Sequence, residues 1–464
     1  MASNVAKSPH LKNILTKHHF ATQAAAATQT SKSCSSPPHH PIKATALPNK
    51  VVVAGIENNS PISRVSIVFR AGSRFETPEN LGCSHALRIA AGLSTDSYSH
   101  FGIRRTIQQA GGNLTCTAGR ETLAYTLETT RDKIEDLLKI LEEVVCHQKF
   151  KPWELSDNIP RMKLDLASRT PHVLAVELLH KAAFRGGLGN SIYSPRYMIG
   201  KHNPEMLKHY VNSMFVADRT ALVGVGMDLT LLMNLGHTLH VKPSAGNFVA
   251  EPTKFHADEL RHDTGSQFAC VAVAGHSAGL NSGKEALAYS VLQYALGVGP
   301  QVKWGSGSNC NPLTKGVAGA DAHAAVSALS IAHSDAGLFG FILAAPAQTA
   351  GKAVEAGVKA LRCAAESIGE VEINKGKAQL RTALLMAFEQ GETFTEELGL
   401  QAALLASHSK ECTLPMSAPS QIIAAVDGIS AAEVKAAGKK IASGKLCMSA
   451  VGDLATVPYL DQLK

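Results

Sequence analysis

Around residue 85 the chain carries the outline of a metal site, in Leu81-Gly82-Cys83-Ser84-His85-Ala86-Leu87-Arg88-Ile89-Ala90-Ala91-Gly92-Leu93. An inverted zinc motif reads H-x-x-E-H: two histidines bind the metal and the glutamate activates a water. At that spacing the sequence offers His85, then Arg88 in place of the base and Ile89 in place of the second ligand. A catalytic zinc needs three protein ligands and one open position, and one histidine does not supply them. Arg88 also repels a cation: two like unit charges about 4 Å apart cost ~4 kcal/mol at an effective dielectric of about 20. The segment is therefore expected to be a helix kept for packing, with His85 a packed, hydrogen-bonded side chain. No catalytic, cofactor-binding or metal-ligating residue is assigned.

Other candidate chemistry fails on spacing. The stretch Gly297–Asn309 is glycine-rich but contains no G-x-x-x-x-G-K-[ST], and Gly279–Glu285 also misses that pattern. Gly297–Asn309 reads as a surface loop. No G-x-G-x-x-G follows a strand, and His276, His323 and His333 lack motif spacing. There is no C-x-x-C-H for haem and no cysteine cluster for iron–sulfur, so any redox chemistry belongs to other chains and no cofactor is expected. The nine cysteines are odd in number and widely spaced, with no C-x-x-C, which fits reduced, mostly buried thiols.

The elements that must position these residues occur twice. Ser63–Gly72 reads as a strand entering a turn, followed by a helix over Ser84–Leu93; Ser266–Gly275 repeats the strand and turn, and Glu285–Leu296 the helix. Gly72 and Gly275 are 203 residues apart, a period that means two tandem domains rather than a solenoid. In the first half, Asn113–Ala118, Leu123–Glu128 and Ala221–Val225 read as strands. Asp132–Cys146 is a periodic helix, with Asp132 and Glu135 in a capping-box arrangement. Helical patterns run over 153–168, where Pro160 should kink or split the run, and over Val173–Phe184. The polar stretch Val241–Asp263 is read as the linker. In the second half, Val326–His333 and Gly337–Ala344 read as strands, and Val354–Ser367, Ala378–Glu389 and Ala431–Ile441 as helices. The expected fold class is α+β, two tandem homologous domains, each a mixed sheet with helices packed on one side.

The chain has 464 residues, 45% hydrophobic, with a formal net charge of +7. The first 50 residues hold six lysines and no acidic residue, so the remaining 39 basic residues face 38 acidic ones. A neutral body argues against nucleic-acid binding. The acid-free, Ser-rich start has the composition of a mitochondrial import leader, though it lacks arginine; a disordered cytosolic tail is the alternative. The division expected is a leader over 1–45, a first domain over 46–250 and a second over 251–464. No run of 18 apolar residues occurs, so any membrane association goes through partners.

Four blocks carry a family resemblance. They are Arg70-Ala71-Gly72-Ser73-Arg74 with Leu81-Gly82; Ser290–Gln293 with Leu296–Pro300 and Val302-Lys303; Ser334-Asp335-Ala336-Gly337-Leu338-Phe339-Gly340-Phe341; and Gly452–Leu454 with Pro458–Leu463. In this order, over Val51–Leu463, the chain resembles the pitrilysin-type metallopeptidase superfamily. Within it, the chain is similar to the core proteins of mitochondrial ubiquinol–cytochrome c reductase, respiratory complex III. The family's third zinc ligand would fall near Arg161–Asp165, with Lys163 closest to the expected position and Asp165 the alternative. The resemblance implies a non-catalytic structural subunit, peripheral on the matrix side of the inner membrane. Its implied partners are core protein 1, cytochrome b, the c-type cytochrome and the iron–sulfur protein, in a dimeric complex. The alternative is the non-catalytic, substrate-binding subunit of the mitochondrial processing peptidase. Its long glycine loop is broken here by Val298, Pro300–Trp304 and Ser306.

Overall fold

The computed structural model describes residues 41–243, 251–299, 311–406 and 416–463. The first half runs β1 (Lys43–Ala46), β2 (Val52–Ile56), β3 (Ile62–Phe69), α1 (Cys83–Ala90), α2 (His100–Gln109), β4 (Asn113–Ala118), β5 (Leu123–Thr130), α3 (Ile134–Cys146), α4 (Pro152–Asp157), α5 (Ile159–Ala167), α6 (Pro171–Phe184), α7 (Pro204–Met214), β6 (Thr220–Val225) and α8 (Leu229–Thr238). The second runs β7 (Glu259–Asp263), β8 (Phe268–Ala278), α9 (Gly283–Leu296), α10 (Pro312–Ala318), β9 (Ala325–Ala332), β10 (Ala336–Pro346), α11 (Ala350–Ser367), α12 (Glu370–Glu389), α13 (Gly391–Ala406), α14 (Pro419–Gly428), α15 (Ala431–Ser443) and β11 (Leu446–Gly452).

Strand order carries the duplication. The first sheet is ordered β1-β2-β6-β3-β5-β4 and the second β7-β11-β8-β10-β9. Dropping β1 makes the two superimposable in order. They also agree in sense: β2 with β6 and β7 with β11 are parallel, and the remaining pairs are antiparallel. The repeat is not the one expected from the glycines, however. Gly275 lies inside β8, paired with Phe339 and Leu446. The counterpart of Gly72 is Gly279. A Cβ on Gly72 would sit 2.3 Å from the Arg120 carbonyl oxygen, and one on Gly279 2.5 Å from the Asp335 carbonyl carbon. Both glycines let the strand end pass against the tip of the neighbouring hairpin.

Local expectations mostly hold, with instructive shifts. The run at 153–168 breaks at Asn158, and Pro160 sits in the first turn of α5, where its missing N–H costs nothing. Asp132 does not cap α3: the cap position is Lys133 without a side-chain bond. Asp132 is instead hydrogen-bonded to Thr130. α12 starts at Glu370, eight residues before the expected Ala378, because Gly376 is a packing residue rather than a breaker: a Cβ there would lie 2.9 Å from the Ala295 side chain on α9. The linker shrinks as well. Residues 244–250 lie outside the described residues, and Glu259–Asp263 forms β7, paired in parallel with β11. Most of Gly297–Asn309 also lies outside them. Cys83, Cys270 and Cys447 are buried and free, whereas Cys363 is free but exposed.

The helices of each half cover one face of its own sheet. Leu87, Ile103, Leu137, Leu207 and Leu232 pack on the first sheet; Leu292, Leu313, Leu361 and Val434 pack on the second. The opposite faces are covered by exchange. Phe394, Leu398, Ala402 and Ala403 of α13 bury Val52, Val68, Ala221 and Val223 of the first sheet. Ala175, Leu179 and Ala183 of α6 bury Ala272, Leu338 and Cys447 of the second. The Ser449 hydroxyl fixes the second contact by donating to the Ala175 carbonyl at 2.6 Å. Strands buried on both faces read as unbroken apolar runs, which is the pattern of Phe268–Gly275 and Ala336–Ala345.

Candidate functional site

Helix α1 begins at a buried carboxylate. Glu76 accepts from the N–H groups of Gly82 and Ser84, both at 2.8 Å, and from the Ser84 hydroxyl at 2.7 Å. These groups include donors that the first turn of a helix leaves unpaired. Burial pushes the Glu76 carboxyl up, while those three bonds pull it back.

One turn further on, His85 is fully buried. Its Nδ1 lies 3.1 Å from the Ser194 backbone nitrogen, which can only donate, so Nδ1 accepts. Nε2 therefore carries the proton and donates to Asp165 Oδ2 at 3.3 Å. The Tyr193 ring packs edge-on at 5.6 Å. Burial, with Arg88 adding to it and Asp165 opposing, lowers the histidine to about 4. Both ring nitrogens are committed to protein groups: the single lone pair, on Nδ1, accepts from Ser194, and Nε2 carries the proton.

Arg88 reaches the same Asp165 oxygen at 2.5 Å. Ile89 is packed into the apolar core. Asp165, rather than Lys163, faces His85; Lys163 is exposed on the outer face of α5. The remnant is thus a His85–Asp165–Arg88 cluster, in which Asp165 is ion-paired with Arg88 and also accepts from the neutral His85. Among the described residues, no group of three or more histidine, cysteine or acidic side chains is arranged to hold a metal. We expect the chain to retain no stoichiometric zinc on dialysis against trace metal. Stoichiometric zinc that is lost in Asp165→Ala would contradict this assignment.

A larger polar cluster, not anticipated from the sequence, joins the halves. Arg74 donates to Asp335 through two nitrogens, at 2.8 and 2.6 Å, to Glu121 at 2.7 Å and to the Ser334 hydroxyl at 3.0 Å. Glu121 accepts from the Ser334 N–H at 2.8 Å, and Asp335 from the Thr253 N–H at 3.1 Å. Beside them Arg120 pairs with Glu177 at 2.8 Å. His180 Nδ1–H donates to the Val176 carbonyl at 2.8 Å, and His180 Nε2 lies 3.2 Å from His333 Nε2. Burial first, and the nearby Arg120 next, hold His180 well below its ordinary range. The available signal was the resemblance itself: Arg70–Arg74 and Ser334–Phe341 are two of its four blocks, and they meet in space. Of the other histidines, His276 is exposed, and the backbone N–H of His323 donates to Asp321.

Comparison with known proteins gives the same family for both halves. Residues 52–196 match the family model described as Insulinase (Peptidase family M16), and residues 201–380 the one described as Peptidase M16 inactive domain. The chain is 36% identical to Cytochrome b-c1 complex subunit 2, mitochondrial, of Homo sapiens, over 90% of this chain and 91% of that one. It is 34% identical to the Mus musculus protein of the same name, over 96% and 97%. Identity to a probable mitochondrial-processing peptidase subunit alpha-1 of Arabidopsis thaliana is 26%, over 91% and 84%. A chain in the solved structure of Complex III2 from Candida albicans, Inz-5 bound, shares the fold with a TM-score of 0.78 at 19% identity, over 91% of this chain and 98% of that chain.

Proposed function

The chain belongs to the M16 peptidase family, in the branch of the mitochondrial cytochrome b-c1 complex subunit 2 proteins, and on that premise we propose that it is a non-catalytic core subunit of respiratory complex III. The observation that carries this reading is that similarity, over nine-tenths of the chain, and it is supported by Arg88 and Ile89 at the positions of the base and second ligand on α1. It supports assembly and electron transport from ubiquinol to cytochrome c without holding a redox group itself. Relatives of the processing-peptidase alpha type are more distant, at 25–26% identity.

No helix among the described residues is long and apolar enough to cross a membrane. We place the subunit on the matrix side of the inner membrane, held there by core protein 1, cytochrome b, the c-type cytochrome and the iron–sulfur protein. We divide the chain at 250/251. The acid-free start, expected over 1–45, is an import leader; β1 (Lys43–Ala46) begins inside that span.

Native electrophoresis of gently solubilised mitochondria, followed by mass spectrometry, tests the assignment. The chain is expected to migrate with the haem-bearing, quinol-oxidising complex. Migration in a haem-free soluble heterodimer would overturn the reading in favour of the processing peptidase.

A further inference from the structure

Leu137 and Leu232 hold α3 and α8 on the first sheet, and between the two helices the surface opens into a groove of about 500 Å³. On α3 it is lined at positions 135, 138, 139, 142 and 143, and on α8 at 231, 234, 235 and 238. Each series recurs every three or four residues, so each is one stripe of its helix followed for about two turns. The floor is apolar: Leu138 and Leu235 are buried, Leu231 is half-buried, and Tyr98 stands beside them, 39% exposed. The rim is acidic. Glu135 is exposed, and Glu142, seven positions on, lies roughly 10 Å further along the axis. Glu142 accepts from His240 Nδ1–H at 2.7 Å through one oxygen, and its other oxygen is open to a second donor. Glu143 adds charge but no contact, because one oxygen accepts from the Ser97 hydroxyl at 3.0 Å and the other is enclosed. Against these three carboxylates the lining sets one ammonium, Lys139.

The groove selects its occupant. It is open along one side, whereas a pocket for a small molecule encloses most of its ligand. Its walls are helices, whose backbone groups are paired internally, so an extended segment would find no sheet edge to join. The acidic rim repels an anionic lipid surface. A helix meets none of these objections. It pairs its own backbone, lays an apolar ridge into the groove, and brings cations to the rim at the spacing of the carboxylates. We propose that this groove docks a helix of a neighbouring subunit, one with two basic side chains seven positions apart and apolar residues on the turn between them. The inference rests on the reading of the chain as one subunit of a larger assembly, but not on which assembly, and the first measurement below needs the isolated full chain alone.

The probe is a fluorescent, alanine-based helical peptide of about 20 residues, with two lysines seven positions apart and leucines on the turn between them. The comparison peptide has glutamate at both lysine positions. Each is titrated with the full chain and followed by fluorescence anisotropy. The lysine peptide is expected to bind saturably, and at least about tenfold more tightly than the glutamate peptide. Glu135→Lys combined with Glu142→Lys is expected to reverse that preference, while circular dichroism and melting temperature verify folding. Absence of saturable binding, equal affinity for the two peptides, or an unreversed preference in the folded double variant each overturns the proposal. In the purified complex, a benzoylphenylalanine photo-crosslinker in place of Thr238, exposed at the edge of the groove, is expected to capture a helix with that basic spacing, read by mass spectrometry. Capture of a lipid, of an acidic or uncharged segment, or of nothing overturns it as well.

Discussion

Arg74→Ala is expected to lower the unfolding free energy by about 3–5 kcal/mol, the range for removing one partner of a buried ion pair. The arginine side chain is only 6% exposed, and its partners Glu121 and Asp335 are 9% and 26% exposed. Removing it leaves two carboxylates close together, one of them buried, without the cation that bridges them. Burial alone would raise the Asp335 carboxyl, yet its hydrogen bonds to Arg74 and Thr253 hold it below its usual range. Without Arg74 that balance reverses. Urea denaturation of the variant against the wild type measures the effect, and a loss under about 1 kcal/mol, the range of exposed ion pairs, would sink the argument. Arg74→Met combined with Glu121→Gln and Asp335→Asn should recover part of the loss, because the uncompensated charges then disappear together.

Acidification is expected to be nearly as damaging. His85 titrates at about 4 in the folded chain, below the ordinary 6.5 that it recovers on unfolding. The unfolded state thus binds the proton first as pH falls. Stability from this group is complete above about 6.5, declines as pH drops, and is exhausted near 4. A shift of this size corresponds to about 3 kcal/mol at one site. His333 is also lowered to about 4, mainly by burial and then by the balance of Glu121 against Arg120 and Arg74. The chain should therefore unfold at markedly lower urea at pH 4.5 than at pH 7. Replacing His85 by Gln removes its titration and should flatten the pH dependence between those values, even if the variant is less stable at pH 7. An unchanged slope in the variant would show that His85 is not a source of the acid sensitivity.

The sequence and the structure agree most closely where local chemistry decides. The alternating and apolar runs of β4, β5 and β10, and the periodic face of α3, settle their own conformation. The non-catalytic reading rests instead on Arg88 and Ile89 in the sequence and on the similarity to cytochrome b-c1 complex subunit 2 proteins. What was not legible is who covers whom. An apolar strand such as Phe268–Gly275 declares that both faces are buried, but not that α6 of the other half provides the cover. The choice between Lys163 and Asp165 had the same root. Met162 and Leu166 point into the core, and that phase of α5 sends Lys163 outward and brings Asp165 against α1. Spacing along the sequence leaves helical phase open by a residue or two. The Arg74–Asp335 contact spans 261 positions, beyond the reach of any local pattern.

The exchange of α6 and α13 has a consequence for the order of events when the chain is made and delivered. A polypeptide that enters a compartment amino end first presents β1 to β6 long before residues 391–406 arrive. Until they do, the outer face of the first sheet, with Val52, Val68, Ala221 and Val223, stays wet and adhesive. Meanwhile α6 emerges with an apolar stripe whose resting place, β8 and β11, does not yet exist. Neither half can reach its final state ahead of the other, so maturation is a single late event gated by the carboxy-terminal third. Non-local closure of this kind is slow and leaves the intermediate prone to aggregation. A chain stopped before residue 391 would thus be a client for holdase chaperones rather than a stable half-protein, and surveillance can read the completeness of the subunit from that one uncovered face.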